Sequence, residues 1–272
     1  VTLAISITPD NTNALNNISI TGLSSPIAFD TVLVQRTNPD GSVVACRNGD
    51  NVATGGASTF AFADFEAPLN APCTYTVTGI VHNADGSETT LVITSSPVTI
   101  AWTQNLVWLK CIGQPGLSMN LTLQKLDDVE RKARQSINPI IGSEYPVIIT
   151  DVTASRTGTF TFRTDTLAQR ASFLALVNYS GPLMFQADSS AVGDGIEDMY
   201  FLFADIKEHR PGLSKDPTRN WECTFTEIAS PVGTTSQIPG NSWLLVTSFG
   251  SWTSVMNNRT TWLNVLNFPY GS

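Results

Sequence analysis

The chain has 272 residues, enough for two domains of ordinary size and a core that needs no metal or disulfide staple. Charged residues make up only 14%, against about 25% in a typical soluble domain. The balance of 15 basic and 23 acidic residues gives a net charge of −8, which excludes a basic nucleic-acid-binding surface.

Residues 1–100 read as strands and turns. Thr2-Leu3-Ala4-Ile5-Ser6-Ile7 and Asn17-Ile18-Ser19-Ile20 alternate with period two, Thr31-Val32-Leu33-Val34 does so in part, and Thr74-Tyr75-Thr76-Val77-Thr78 follows the same rule. Asn38-Pro39-Asp40-Gly41 and Asn83-Ala84-Asp85-Gly86 are hairpin signals between them. Such spacing predicts an antiparallel sandwich, with Ser95-Ser96-Pro97-Val98-Thr99-Ile100 as its last strand and exit. The stretch Ala67-Pro68-Leu69-Asn70-Ala71-Pro72 before Tyr75 resembles the turn into the penultimate strand of a fibronectin type III domain. In that class a Tyr hydroxyl ties the strand to the preceding corner, a role the resemblance gives to Tyr75.

Residues 101–116 read as a connector, with Trp102 and Trp108 packed because a linker exposing both invites association. Residues 117–232 predict a second β-rich domain, with strands at Leu117–Leu123, Tyr145–Thr150, Gly158–Arg163, Pro182–Gln186, Met199–Ile206 and Trp221–Ile228. A single helix lies among them: Thr166 and Gln169 form a capping box, Leu167, Ala171, Leu174 and Asn178 mark one face, and Gly181-Pro182 ends it. One helix among strands predicts a sandwich or barrel with the helix against an open end. Residues 233–272 form a C-terminal arm in which Ser251-Trp252-Thr253-Ser254-Val255-Met256 recurs as Thr261-Trp262-Leu263-Asn264-Val265-Leu266. Neither copy buries its Trp alone, so Trp252, Val255, Trp262 and Leu266 must dock, either on their own domain or on a neighbouring subunit.

The N-terminus lacks the pattern of a signal peptide, and no run of about 18 apolar residues spans a membrane. Cys46, Cys73, Cys111 and Cys223 are widely scattered, which favours free thiols over a zinc site, with a Cys46–Cys73 bridge as the alternative. His82 and His209, the only histidines, lie at polar turn and strand ends, away from any nucleophile signature. Asp188, Asp194, Glu197 and Asp198 crowd one loop and are the weak candidates for an oxygen-ligand metal site; a solvated acidic loop is the simpler reading. No cofactor is implied, since no phosphate-cradling Gly-rich loop occurs.

The second domain carries a further likeness. Asp151-Val152 and Ala154-Ser155-Arg156-Thr157-Gly158-Thr159-Phe160-Thr161-Phe162, the helix with Gln169-Arg170, Tyr179-Ser180-Gly181-Pro182-Leu183, Tyr200-Phe201-Leu202, and Arg219-Asn220-Trp221 leading to Thr226–Pro231 resemble, in this order, minor tail proteins of long-tailed actinobacterial bacteriophages. The strand before Asn38-Pro39-Asp40-Gly41, Glu66–Leu69 and the Trp repeat resemble the other parts of those proteins. The resemblance implies an all-β chain: a fibronectin- or Ig-like sandwich, then a domain similar to tail-tube and distal-tail domains, a β-sandwich with a flanking helix. It implies a structural virion protein of the tail tip, made in the host cytoplasm and not an enzyme. Its partners would be copies of itself in a ring or sleeve, six-fold rather than three-fold, and tail-tube, distal-tail and hub proteins. Arg156, Gly158, Arg219 and Trp221 would hold the second domain's fold or interface. Two rival functions are a host-surface or carbohydrate-binding module, and a secreted glycoside-active enzyme needing two facing carboxylates.

Overall fold

The computed structural model describes residues 2–24, 26–127, 129–133, 135–138, 141, 144, 147–150, 152–188, 196–213 and 215–231. Eight strands build the first unit: β1 (Ala4–Asp10), β2 (Leu15–Thr21), β3 (Thr31–Thr37), β4 (Val43–Ala45), β5 (Val52–Ala53), β6 (Thr59–Asp64), β7 (Thr74–His82) and β8 (Glu88–Thr94). They form a sandwich, with β1-β2-β6 on one sheet and β4-β3-β7-β8 on the other, β5 pairing β3. This division of strands between two sheets is that of Ig-like sandwiches. Alternating side chains meet in a core of Ile18, Ile20, Phe29, Val32, Val34, Tyr75 and Val77. Both hairpin signals are turns, with Gly41 and Gly86 at φ +83°. The last long strand is β8, not 95–100; Ser95 N–H still donates to Tyr75 O at 2.8 Å, but beyond Pro97, which cannot donate to a ladder, the stretch forms the isolated bridges Cys73↔Val98 and Leu69↔Ile100.

The second unit contains β9 (Val107–Cys111), β10 (Met119–Leu126), β11 (Gln135–Asn138), β12 (Val147–Thr150), β13 (Thr157–Thr164), α1 (Leu167–Asn178), β14 (Leu183–Gln186), β15 (Met199–His209) and β16 (Arg219–Ile228). Six of these strands close a barrel in the order β10-β13-β16-β15-β14-β9, while β11 and β12 form a separate hairpin. The chain is therefore all-β with one α-helix among the described residues. The second unit is a closed barrel where the tail-protein resemblance implies a sandwich. Closure removes the open edges that a sandwich leaves. The barrel also begins earlier than residue 117: Val107–Cys111, inside the stretch read as a connector, is the strand that joins β14 to β10.

Aromatic residues fill the barrel. Phe160 stacks on Phe185 at 4.8 Å and on Phe225 at 4.3 Å between centroids. The helix has the expected capping box, with Thr166 accepting from Gln169 N–H and the Gln169 side chain returning to the Thr166 backbone. Its buried residues are Phe173 and Leu176, not the face led by Leu167, which is 65% exposed. Phe173 meets the Trp221 ring at 4.7 Å between centroids, and this contact sets the helix rotation. Ser180, at φ +56°, takes the left-handed position after the helix, ahead of Gly181.

Candidate functional site

The junction between the two units is built by β9. Val107, Leu109 and Cys111 point into the barrel core. Alternation turns Trp108 and Lys110 outward, yet they too are buried, because the first unit covers them. Trp108 packs with Trp102, Ala14, Ala67, Leu69 and Ile100 in a core shared by both units, its ring centroid 5.7 Å from that of Trp102. Lys110 Nζ donates to Ala14 O at 2.5 Å and Phe65 O at 2.6 Å. The neighbouring strands add to this patch. Gln186 of β14, paired with Trp108, donates Nε2 to Ala67 O at 2.8 Å. Tyr200 of β15 donates its hydroxyl to Glu66 at 2.9 Å. Glu66 also receives Arg47 at 2.7 Å, and Arg47 Nη1 donates to Pro231 O at 2.6 Å.

Burial governs the charges here. It pushes the Lys110 amine down to about 7 against the pull of Asp198, Asp64 and Glu66. It pushes the Asp198 carboxyl up to about 6 against its bonds from the Ala187 N–H and Gln186. Burial also opposes the charge on Asp64, but the Arg36 guanidinium at 2.6 Å outweighs it and holds that carboxyl below the usual range. The Tyr75 hydroxyl donates to the same Asp64 at 2.9 Å and accepts from Asn16 at 2.8 Å, so Tyr75 ties β7 to the end of β6. A cavity of about 10 Å³ remains among Arg47, Asp64, Glu66, Lys110 and Ser118. That is the space of about one water, and the contacts around it fasten the two units.

The remaining residues singled out in the sequence fall at several places. Arg156 forks onto Glu227 at 2.6 and 2.9 Å and reaches Glu197 at 3.0 Å. Gly158 pairs with Phe225 across β13 and β16. The Arg219 side chain is buried, bonding Glu208 at 2.9 Å and two carbonyls at 2.7 Å. Glu208 also holds Arg170 of α1 at 2.7 and 2.8 Å. Trp221 donates Nε1 to Thr164 Oγ1 at 3.0 Å. In the acidic loop, Glu197 turns out to Arg156, Asp198 turns into the junction, and Asp188 is half-buried past β14. Asp194 lies outside the described residues, as do Trp252, Val255, Trp262 and Leu266. No group of three metal-ligating side chains forms among the described residues.

The thiols are unsuited to attack a substrate. Cys46, Cys73, Cys111 and Cys223 are free and buried, and burial raises each, Cys223 to about 12. A thiolate nucleophile needs the opposite shift. His82 lies at an exposed turn between Asp30 and Glu88, and His209 faces Glu222. The Arg156 guanidinium holds the Glu227 carboxyl below the usual carboxylate range.

Among the described residues, both edges of the sandwich's larger sheet are open. On β4, Val43 and Val44 are 56% and 43% exposed; on β8, Leu91 and Val92 are 39% and 54% exposed. Neither the Lys110 junction nor these edges is among the expectations drawn from the sequence. A lysine inside Leu106–Ile112, an otherwise apolar run, is the signal available for the first. Neither a protein-family model nor a curated protein sequence matches the chain. No helix among the described residues is long and apolar enough to cross a membrane.

Proposed function

We propose that this chain is a structural virion component, a minor tail protein at the tip of a long-tailed bacteriophage, that assembles as a symmetric homo-oligomer around the tail axis. The observation that carries the reading is the larger sheet of the sandwich, whose two edge strands have no further partner strand among the described residues, with exposed apolar residues on β4 and β8. An edge strand is a template for pairing with another chain. A sheet with two different open edges can join head to tail, and such contacts close into rings when the rotation fits. Two further features support a building block. The junction joins both units through a common core, and the titratable groups near it serve packing and pairing rather than a cleft. The sequence resemblance supplies the tail-tip location and its partners, the tail-tube, distal-tail and hub proteins.

The test is the mass of the purified chain by light scattering, together with images of the particles. A ring or sleeve of six or three copies is the expected result. Replacing Trp252 and Trp262 by Ala is expected to impair assembly while both β-units stay folded by circular dichroism. A strict monomer at micromolar concentration, with no symmetric particle, overturns the reading.

A further inference from the structure

The shortness of β14 leaves a gap in the barrel wall. Its first residue, Leu183, lies opposite Phe201. From Leu202 onward β15 therefore has β16 on one side and no strand among the described residues on the other. The last turn of α1 stands across the gap. Between the two lies an open cavity of about 290 Å³, walled by Leu176, Val177, Leu183, Leu202, Phe203 and Ile206, close to the volume of about 300 Å³ at which small-ligand pockets begin. Its polar side is negative. Asp205 is the one charged residue in the lining, and a β-bulge puts it there. Phe203 pairs with Phe225 and Ile206 with Cys223, so Ala204 and Asp205 together oppose Thr224. Both are exposed, while Phe203 and Ile206 on either side pack on the core. The Asp205 N–H donates to Thr224 Oγ1 at 2.9 Å and fixes the bulge. The Asp205 carboxylate itself makes no hydrogen bond or ion pair among the described residues, because Lys207, two residues on, is held by Glu222 at 2.9 Å. The C-terminal end of α1 adds partial negative charge, with Ser180 and Gly181 lining the cavity just beyond it, and the last turn of the helix carries no basic side chain to offset it.

We propose that this cavity binds an aliphatic cation, an ammonium or guanidinium group on a stem of about four carbons. The head meets Asp205 and the end of α1, and the stem lies along the apolar wall. An exposed carboxylate alone attracts a cation weakly, and an apolar wall alone takes a neutral chain as readily as a charged one. Together they select a ligand that has both parts. That is the chemistry of a lysine or arginine side chain and also of a free polyamine. An anion is repelled by Asp205 and by the helix end alike, and an inorganic cation leaves the apolar wall unused. The site lies on the barrel, apart from the edges β4 and β8, and needs neither of them.

The test is a titration of the full chain, with its methyl groups isotopically labelled for NMR, against pentylamine, pentanol and pentanoate, which share one stem and differ in the head. Shifts are expected at the methyls of Leu176, Val177, Leu183, Leu202 and Ile206. Pentylamine should bind about five-fold more tightly than pentanol, and pentanoate should be the weakest of the three. Asp205→Asn keeps the backbone bond to Thr224 that fixes the bulge, so its spectrum without ligand should match wild type while the preference for the amine over the alcohol disappears. Equal binding of the three probes, an amine preference that survives in D205N, or shifts only at methyls outside the cavity overturns the inference. Two further probes separate the sources. A blocked alanine-lysine-alanine tripeptide that binds as tightly as pentylamine supports the site as one for a basic side chain of a protein partner. Exclusion of that tripeptide while spermidine binds supports it as a polyamine site. None of these readouts depends on the particle's mass: a monomer that prefers the amine sinks the tail-tip reading and leaves this inference standing, and a ring that shows no such preference does the reverse.

Discussion

Lys110 is the residue on which the junction's electrostatics turn. Its amine is buried, held by two backbone carbonyls of the other unit, and sits at about 7 against an ordinary value of 10.5. The unfolded chain therefore binds this proton more tightly than the folded one between those two values. The contribution to stability is present above pH 10.5 and is lost as pH falls to about 7. Lys110→Met removes that dependence. The difference in unfolding free energy between wild type and K110M, measured in urea, should grow in favour of wild type by a few kcal/mol between neutral pH and about pH 10. An unchanged difference across that range means Lys110 is not buried as described. Asp198 has the opposite sign. Its carboxyl, raised from 3.8 to about 6, stabilises the fold while protonated, and that contribution is lost as pH rises through this window. Asp198→Asn keeps an uncharged acceptor there, so between about pH 4 and pH 7 it should gain about 2 kcal/mol on wild type.

At the scale of elements, α1 is fixed to the barrel by a ring contact and a charge cluster. Phe173 lies against Trp221 and Phe162, and Arg170 shares Glu208 with the buried Arg219. Phe173→Ala should cost about 3–5 kcal/mol as a cavity-forming change, while Leu167→Ala, at an exposed position, should stay within about 0.5 kcal/mol. Thermal or urea unfolding of the two variants separates them. Equal losses mean the helix buries the other face. The helix's start was legible in the sequence, since Thr166 and Gln169 define a cap by local chemistry. Its face was not. Leu167-Ala168, Ala171 and Phe173-Leu174-Ala175-Leu176-Val177 surround most of the axis, and the choice is made by Trp221 and Phe203 on distant strands. The strands β2, β3 and β7 were legible because one face is buried and one is open, giving period two. β9 is buried on both faces and β8 is exposed at nearly all positions. Neither alternates, so the first reads as a connector and the second as no strand at all.

At the scale of the whole molecule, the question is whether the two units act as one body. Domain interfaces within a chain are commonly small and polar, and then the domains move independently. Here the shared cluster of Ala14, Ala67, Leu69, Ile100, Trp102 and Trp108 is a core in its own right. Around it, Lys110, Gln186, Tyr200 and Arg47 make hydrogen bonds that cross from one unit to the other. Opening the junction would expose a buried lysine whose two carbonyl partners lose their donors, along with both tryptophans. The first unit also relies on donors of the second to pair its backbone carbonyls at Ala14, Phe65 and Ala67, groups that cost about 1–3 kcal/mol apiece when buried and unpaired. The wild-type chain should therefore unfold in a single calorimetric transition, with the van't Hoff and calorimetric enthalpies agreeing. Trp108→Ala removes the ring that both units share, at a cost of about 3–5 kcal/mol, and should split the scan into two transitions, one for the sandwich and one for the barrel. Two transitions already present in wild type would show that the units are merely tethered. A single, lowered transition in W108A would show that the polar contacts alone suffice to couple them, placing the fastening in Lys110 and Gln186 rather than in the aromatic pair.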